Sequence, residues 1–401
     1  MNQKNITVVG GGPAGMAAAL YAAQAGASVT LLERNDKLGK KLYITGKGRC
    51  NVTNTAENLF EHIPRNPRFL YSAFAFLNAE DLRQLLLTYG CPTKVERGHR
   101  VFPQSEKASD VTRALERALR QAGVRIILEE RVASVAPLLQ KGAVVVATGG
   151  VSYPSTGSTG DGYLLAEQQG HCLISPKPSL IPLTMRDTWF QALQGLTLKN
   201  VVLSAKQGKK TLFQQMGEML FTHFGISGPL VLSLSSHIAD LPLASLDVRI
   251  DMKPALSLEQ LDKRLLRDIH ENQRKQIISL LPKLVPSAMS APILSLSGIE
   301  PTKQAGQLTR EERQRLILCL KGIPLGLSGS RPIEEAVITR GGIPVKEIDP
   351  KTMMSAKQPG LFFAGELIDV DAYTGGFNLQ IAFSTGALAG KSAAEWILRQ
   401  E

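Results

Sequence analysis

The sequence predicts an α/β protein: an open parallel-sheet domain split by an inserted unit of short strands and helices. Three observations carry this. A β-branched run at Asn5–Val9 passes into Gly10-Gly11-Gly12-Pro13-Ala14-Gly15 and then an alanine-rich helix. From about residue 187 the texture changes to short strands between turns, followed by Leu-, Lys-, Arg- and Gln-rich stretches at helical spacing. Near residue 361 an apolar strand and a glycine-opened helix resume the style of the opening segment.

Taken in order, Asn5–Val9 reads as a buried strand, and its helix runs to about Ala25, closed by Gly26. Ser28–Leu32 is a second buried strand ending at Glu33. Residues 79–90 and 108–122 carry helical spacing, the latter followed by Gly123 and a strand over 124–128. Residues 141–146 form an apolar strand leading into Ala147-Thr148-Gly149-Gly150. In the insert, residues 201–205 and 247–251 read as strands. Residues 257–322 read as helices broken by Pro282, Pro286 and Pro292. The expected organisation is a first domain at 1–186, a β-rich insert at 187–256 and a helical subdomain at 257–322. The β-rich part then returns at 323–340, and 341–401 completes the first domain. There is no internal repeat.

At 401 residues the chain exceeds one ordinary core. Its 43% hydrophobic and 20% charged residues are those of a soluble globular protein. The formal charge of +11 invites a nucleic-acid or anionic-membrane reading. Lys and Arg are nevertheless spread along the chain without blocks, which favours a basic surface that attracts anionic cofactors and small-molecule substrates over nucleic acid. Cys50, Cys91, Cys172 and Cys319 form no CxxC pair, which argues against a disulfide framework, a zinc site or a redox dithiol. The histidines are equally scattered, so no metal site is expected. The glycine cluster interrupts what would otherwise resemble a secretory leader, and no stretch has the apolar length of a membrane span. A cytoplasmic protein is expected; nothing indicates an oligomeric state.

Gly10-x-Gly12-x-x-Gly15 stands in full context: strand before, helix after, then a second strand and an acid about 20 positions on. Gly10 permits the tight turn, Gly12 lets a pyrophosphate reach the backbone, and Gly15 lets helix and sheet pack closely. The helix opens at Pro13, whose ring presets the first turn, and its N-terminus from Ala14 onward offers N–H groups to phosphates. Glu33 suits the ribose hydroxyls of an adenosine. Lys37-Leu38-Gly39-Lys40-Lys41 and Thr45-Gly46-Lys47-Gly48-Arg49-Cys50-Asn51 can add donors around a pyrophosphate. Gly365-Glu366 and Tyr373-Thr374-Gly375-Gly376-Phe377-Asn378 suit a flavin, with a helix from Gly376 aimed at its N1–C2 edge. One ligand held by both ends of the chain is long, which favours FAD.

GGGPAG with Glu33, TGKGRCNVTN (45–54), ATGGVSYPSTGSTGDGY (147–163), FTHFGISGP (221–229) and AGELIDVDAYTGGFNLQIAFSTG (364–386) together resemble one bacterial family. It is the HI-type conserved flavoprotein family, described as NAD(P)/FAD-dependent or aminoacetone oxidase-like oxidoreductases. The resemblance implies a glutathione-reductase-like FAD domain with an inserted β-barrel-like domain and a small helical domain. It implies FAD contacts at Ala14, Glu33, Arg34, Lys40, Lys41, Gly48, Arg49, Cys50 and Asn51. Further contacts fall at Val132, Thr148, Gly149, Gly365, Glu366, Gly376, Phe377, Asn378 and Leu379. One departure stands out. The family's longer β-meander after Arg131 is reduced here to the nine residues 132–140, too few for three strands.

Covalent flavin attachment has Cys50 and Tyr373 as its local candidates, and non-covalent binding is expected. A second glycine fingerprint is missing, so NAD(P)H is expected only as a transient electron donor. Ser158-Thr159-Gly160-Asp161-Gly162 is similar to a segment of fumarate reductase and ketosteroid dehydrogenase flavoproteins, which suggests hydride transfer at an activated C=C bond. That segment has a purely structural reading as well. For proton chemistry the candidates are His223, Tyr373 and Arg100, with Glu218 beside them. The expected activity is hydride transfer from NAD(P)H to a small organic acceptor. Oxidation of a small amine such as aminoacetone by oxygen, and flavin-dependent RNA modification or RNA binding, are the alternatives.

Overall fold

The computed structural model describes residues 5–399. The chain divides into two compact units, one of residues up to Ser179 together with those from Pro332, the other Leu180–Arg331. Both boundaries fall earlier in the chain than the texture changes at 187 and 340.

The first unit is built on a five-stranded parallel sheet, in the order Leu361–Phe363, Gly142–Val146, Asn5–Val9, Ser28–Leu32 and Arg125–Ile127. Val144, Val145 and Val146 are fully buried, as expected of a strand covered on both faces. The helix Pro13–Gln24 is alanine-rich for a steric reason. It packs against the 22-residue helix Phe377–Leu398, where a Cβ at Gly386 would overlap the Ala14 carbonyl and one at Gly390 the Ala18 carbonyl. Larger side chains would drive the two backbones apart. Ala108–Gln121 is amphipathic, burying Val111, Ala114, Leu115, Ala118 and Leu119.

Residues 132–140 hold one short helix, Ala136–Leu139, and no strand. An antiparallel ribbon joins Thr53–Asn54, Arg100–Pro103 and Thr93–Glu96. Ile338–Gly342 pairs with Ile174–Ser179. Residues 338–340, grouped by spacing with the β-rich insert, thus belong to the first unit. Strand spacing alone carries no information about the partner strand.

The second unit is a seven-stranded antiparallel sheet, ordered Ile323–Pro324, Leu246–Asp251, Thr197–Gln207, Lys210–Phe221, Gly225–Ser227, Leu183–Met185 and Leu327–Ser330. Its two edge strands are separated by only Leu325 and Gly326, so the sheet curls its edges together in the manner of a barrel. Leu258–Glu271 and Arg310–Lys321 begin with capping boxes, Ser257 with Gln260 and Thr309 with Glu312. Between them the prolines leave 3-10 turns and the short helix Ser290–Leu296. The helices and the sheet share one hydrophobic core.

His171 is a buried staple in the first unit. One ring nitrogen meets Glu347 at 2.9 Å and the other Ser355 at 2.7 Å. Ser355 also accepts the Lys357 and Gln358 N–H groups, so this Ser-His-Glu set is closed in on itself. Burial pushes the imidazole below its ordinary value, against the pull of Glu347. The folded state therefore favours neutral His171, and its contribution is complete above about pH 6.5 and lost as pH falls through the lowered folded value. Urea midpoints should drop from about pH 7.5 to about pH 5.5, and His171→Gln should flatten that part of the drop. Gly390→Leu, forced against backbone, should cost about 3 kcal/mol in the same measurement.

Candidate functional site

A parallel sheet brings the carboxyl ends of its strands to one edge. Gly10, Glu33, Thr148 and Gly365 follow four of these strands and meet there. Asn5–Val9 lies between Ser28–Leu32 and Gly142–Val146, so this edge is the topological switch point where such sheets bind ligands.

The three fingerprint glycines have separable reasons. Gly10 has φ +106°, and a Cβ there would stand 2.5 Å from the Ala147 carbonyl oxygen. At Gly15 a Cβ would overlap the Gly10 carbonyl oxygen. Gly12 has φ −75° and ψ −177°, which any residue adopts, and a Cβ there has nothing within 4 Å. Neither backbone nor packing asks for glycine at 12; a ligand pressed against the backbone does. The helix begins at Pro13, leaving the Ala14 and Gly15 N–H groups facing that space.

Glu33 is 6% exposed. Its Oε2 accepts the Gly11 N–H at 2.6 Å and its Oε1 accepts two donors of Asn35 at 2.8 and 2.6 Å. The carboxylate is pinned against the turn, and Oε2 retains acceptor capacity for a ribose hydroxyl. Arg34 and Arg131 both bind Asp161, at 3.0 and 2.9 Å. Arg131 with Arg34 holds that acid below the usual carboxylate range, burial opposing. The Ser158–Gly162 segment thereby gains a structural role, tying its loop to the end of the second strand. Val132, after Arg131, packs partly buried against the core.

Lys41 donates to Glu366 and Ser152, each at 3.0 Å. Glu366 Oε1 also accepts the Thr339 N–H at 2.7 Å and the Ser152 hydroxyl at 2.8 Å. Burial works to raise the Glu366 carboxyl; Lys41 and these donors outweigh it and hold it low. Lys40 instead pairs with Asp36 at 2.9 Å. Gly149 has φ +77°, and Gly365, also at positive φ, sits where a Cβ would meet the Ala14 methyl at 2.8 Å.

Next to Gly48, Arg49 turns to the ribbon, binding Glu96 at 2.5 Å and Glu106 at 3.1 Å over the ring of Phe102. Arg100 is exposed and donates to the Arg97 carbonyl at 3.0 Å. Cys50 is fully buried, and burial pushes its thiol up to about 12, which suits neither a redox centre nor a flavin link. Among the described residues, Asn51 Oδ1 and Thr148 Oγ1 are buried without a hydrogen-bond partner. Asn51 Oδ1 lies 3.0 Å from where a Cβ of Gly376 would be, at the start of the C-terminal helix. Asn378 pins the preceding loop through the Ala372 N–H and carbonyl at 2.9 and 2.7 Å. Leu379 packs partly buried against the core. Burial, aided by Asp371, pushes the Tyr373 phenol up to about 12. His62 stacks on Phe377, with ring centroids 4.3 Å apart.

His223 and Glu218 belong to the second unit, both exposed, the former edge-on to Phe224 in a turn between two strands. Sequence reasoning missed Asn35, Ser152, Thr339 and His62. Only the carboxylates they approach, or the aromatic motif at 373–377, pointed toward them. Among the described residues no His, Cys, Asp and Glu cluster could hold a metal, and no helix is long and apolar enough to cross a membrane.

A flavin dinucleotide fits these residues. Gly12 and the helix start would receive a pyrophosphate, Glu33 a ribose, and the orphaned Thr148 and Asn51 atoms a polar ligand. The second helix start, at Gly376, would meet the flavin end of such a ligand. The HI0933-like protein Rossmann domain matches residues 4–392. The 3-dehydro-bile acid delta(4,6)-reductase of Clostridium scindens is 32% identical over 97% of this chain and 99% of its own length. The ribosomal RNA dihydrouridine synthase of Escherichia coli is 31% identical over 96% of each chain. Its Haemophilus influenzae namesake is 30% identical over 94% of this chain and 95% of its own. Among solved structures, the 3-ketosteroid delta1-dehydrogenase of Sterolibacterium denitrificans shares the fold. It has a TM-score of 0.52 at 12% identity, covering 98% of this chain and all of that one.

Gly12 and Gly15 should separate binding from folding. Gly12→Val should leave the stability of the FAD-free protein within about 1 kcal/mol and weaken FAD at least about tenfold. Gly15→Ala should lower the thermal midpoint itself. Calorimetry of the FAD-free chain and FAD titration by fluorescence quenching measure both.

Proposed function

The chain belongs to the HI0933-like Rossmann-domain family, and on that premise we propose that it is an FAD-dependent reductase of a C=C bond conjugated to a carbonyl. Membership of this family makes the chain a flavoprotein oxidoreductase. When bound, FAD supplies hydride chemistry at its N5. The chain's own residues position it: Ala14 and Gly15 amides at the pyrophosphate, Glu33 at the ribose, Lys41 and Glu366 alongside, and the Gly376 helix start at the flavin.

The reading is carried by the chemistry common to relatives that span the whole chain. A delta(4,6)-reductase acting on a 3-dehydro compound saturates a bond conjugated to a ketone. Dihydrouridine is uridine saturated at the bond conjugated to its C4 carbonyl. In each case a conjugated carbonyl makes the double bond electrophilic, so that a hydride can add at its β carbon or, through a second conjugated bond, at the vinylogous position. A small enone is the first reading. No second glycine fingerprint occurs in the sequence, so a nicotinamide donor binds and leaves at the same flavin.

A nucleobase in RNA is the second reading; Lys and Arg form no block in the sequence, but their excess is concentrated in one unit, which supports it. Lys and Arg number nineteen against twelve Asp and Glu in residues 180–331, and Lys199, Lys206, Lys209 and Lys210 are exposed. Exposed lysines of this kind bind phosphates in a salt-dependent way.

Anaerobic stopped-flow with NADH and NADPH should bleach the bound flavin. A flavin that stays yellow with both overturns the nicotinamide donor. Reduced enzyme should then be reoxidised by a 4-en-3-one steroid if the first reading holds. Under the second, it should be reoxidised only by uridine-containing RNA, with salt-sensitive retention of that RNA. Peroxide formed from aminoacetone in air would favour the amine-oxidase alternative over both.

A further inference from the structure

As a hydride reaches the β carbon of such an acceptor, negative charge collects on the carbonyl oxygen. A fixed hydrogen-bond donor at that oxygen lowers the barrier. The flavin end of the first unit holds a side chain arranged for this task that none of the motifs includes. His62 closes the 3-10 turn Leu59–His62, and its ring lies flat on Phe377, the first residue of the C-terminal helix, at 13° between planes. Tyr373 meets the same ring edge-on at 6.3 Å, and the Tyr373 N–H donates to the His62 carbonyl at 2.9 Å. Phe60, in the same turn, is wedged against Tyr71 and Phe74 at 4.6 and 5.6 Å. Backbone and ring plane are therefore fixed. The ring is half-buried, and neither of its nitrogens has a hydrogen-bond partner among the described residues.

We propose that His62 donates a hydrogen bond to the carbonyl oxygen of the acceptor, an inference that rests on the reductase reading above. Nearby amides are poorer choices. Asn378 is engaged with Ala372 and Tyr373, and Asn51 presents a buried, unpaired acceptor oxygen. Burial, with Glu61 opposing, lowers the affinity of His62 for a second proton, so the ring acts as a neutral N–H donor. The acceptor gains a hydride at the β carbon from reduced FAD, which returns to its oxidised state, and a proton at the α carbon from solvent. His62 keeps its proton throughout.

4-Chlorophenol tests this without turnover, because its phenolate oxygen mimics the charged carbonyl oxygen. Oxidised FAD-loaded protein is titrated with it while the long-wavelength charge-transfer absorbance is followed. His62→Phe keeps the stack and loses the donor; its affinity should fall about tenfold at unchanged FAD content. His62→Gln keeps a donor and should stay within about threefold of the parent. A parent protein without the band, an unchanged His62→Phe, or equal loss in both variants overturns the proposal. The reductase reading fails separately, if reduced protein passes no hydride to a 4-en-3-one or to uridine while phenolate binding behaves as expected.

Discussion

The first unit depends on the tightness with which the helix Pro13–Gln24 is wedged between the strand before it and the helix that ends the chain. Gly15 meets the Gly10 carbonyl, Gly386 the Ala14 carbonyl and Gly390 the Ala18 carbonyl, with no room for a side chain at any of the three. Gly365 adds a fourth close approach, to the Ala14 methyl. These contacts join residues at opposite ends of the sequence. They place the start of the first helix beside Gly365 and Glu366, so that one ligand can be held by both termini of the unit. The first unit is thus closed by segments from both sides of residues 180–331.

Around this wedge the charged groups are fixed by the protein itself. Glu366 is held by Lys41, Ser152 and the Thr339 N–H, and Asp161 by Arg34 and Arg131. Neither kind of pair adds much net stability: water screens the exposed Arg131–Asp161 pair, and desolvation offsets much of the attraction between Lys41 and the more buried Glu366. Their effect here is positional. They hold the loop at 150–161 and the strand Ile338–Gly342 against the mouth of the sheet, so the donors for a dinucleotide stand in place before it arrives. The same reasoning applies to His62, whose plane is set by Phe377 and whose backbone is set by Tyr373.

An enone and a uracil present the same reacting atoms, so a site that fixes a flavin and one carbonyl oxygen serves either. What separates them is the bulk and charge attached to those atoms.

The sequence by itself determined whatever a local backbone demand encodes. The glycines at 10 and 15 and the apolar runs of the parallel strands are rules about neighbouring residues. They were legible without a fold. The acid at Glu33 was legible too, because the strand–helix–strand unit fixes its distance from the turn. Only the tertiary structure decided which charged groups meet. Lys41, Ser152, Thr339 and Glu366 come from four distant segments, and Arg49, which by motif lies near the pyrophosphate, turns to Glu96 and Glu106 instead. The strand Ile338–Gly342 found its partner at Ile174–Ser179 in the same way. Long-range pairing is set by the path of the chain and by the desolvation that makes a buried charge seek a partner, and no spacing in the sequence records that path.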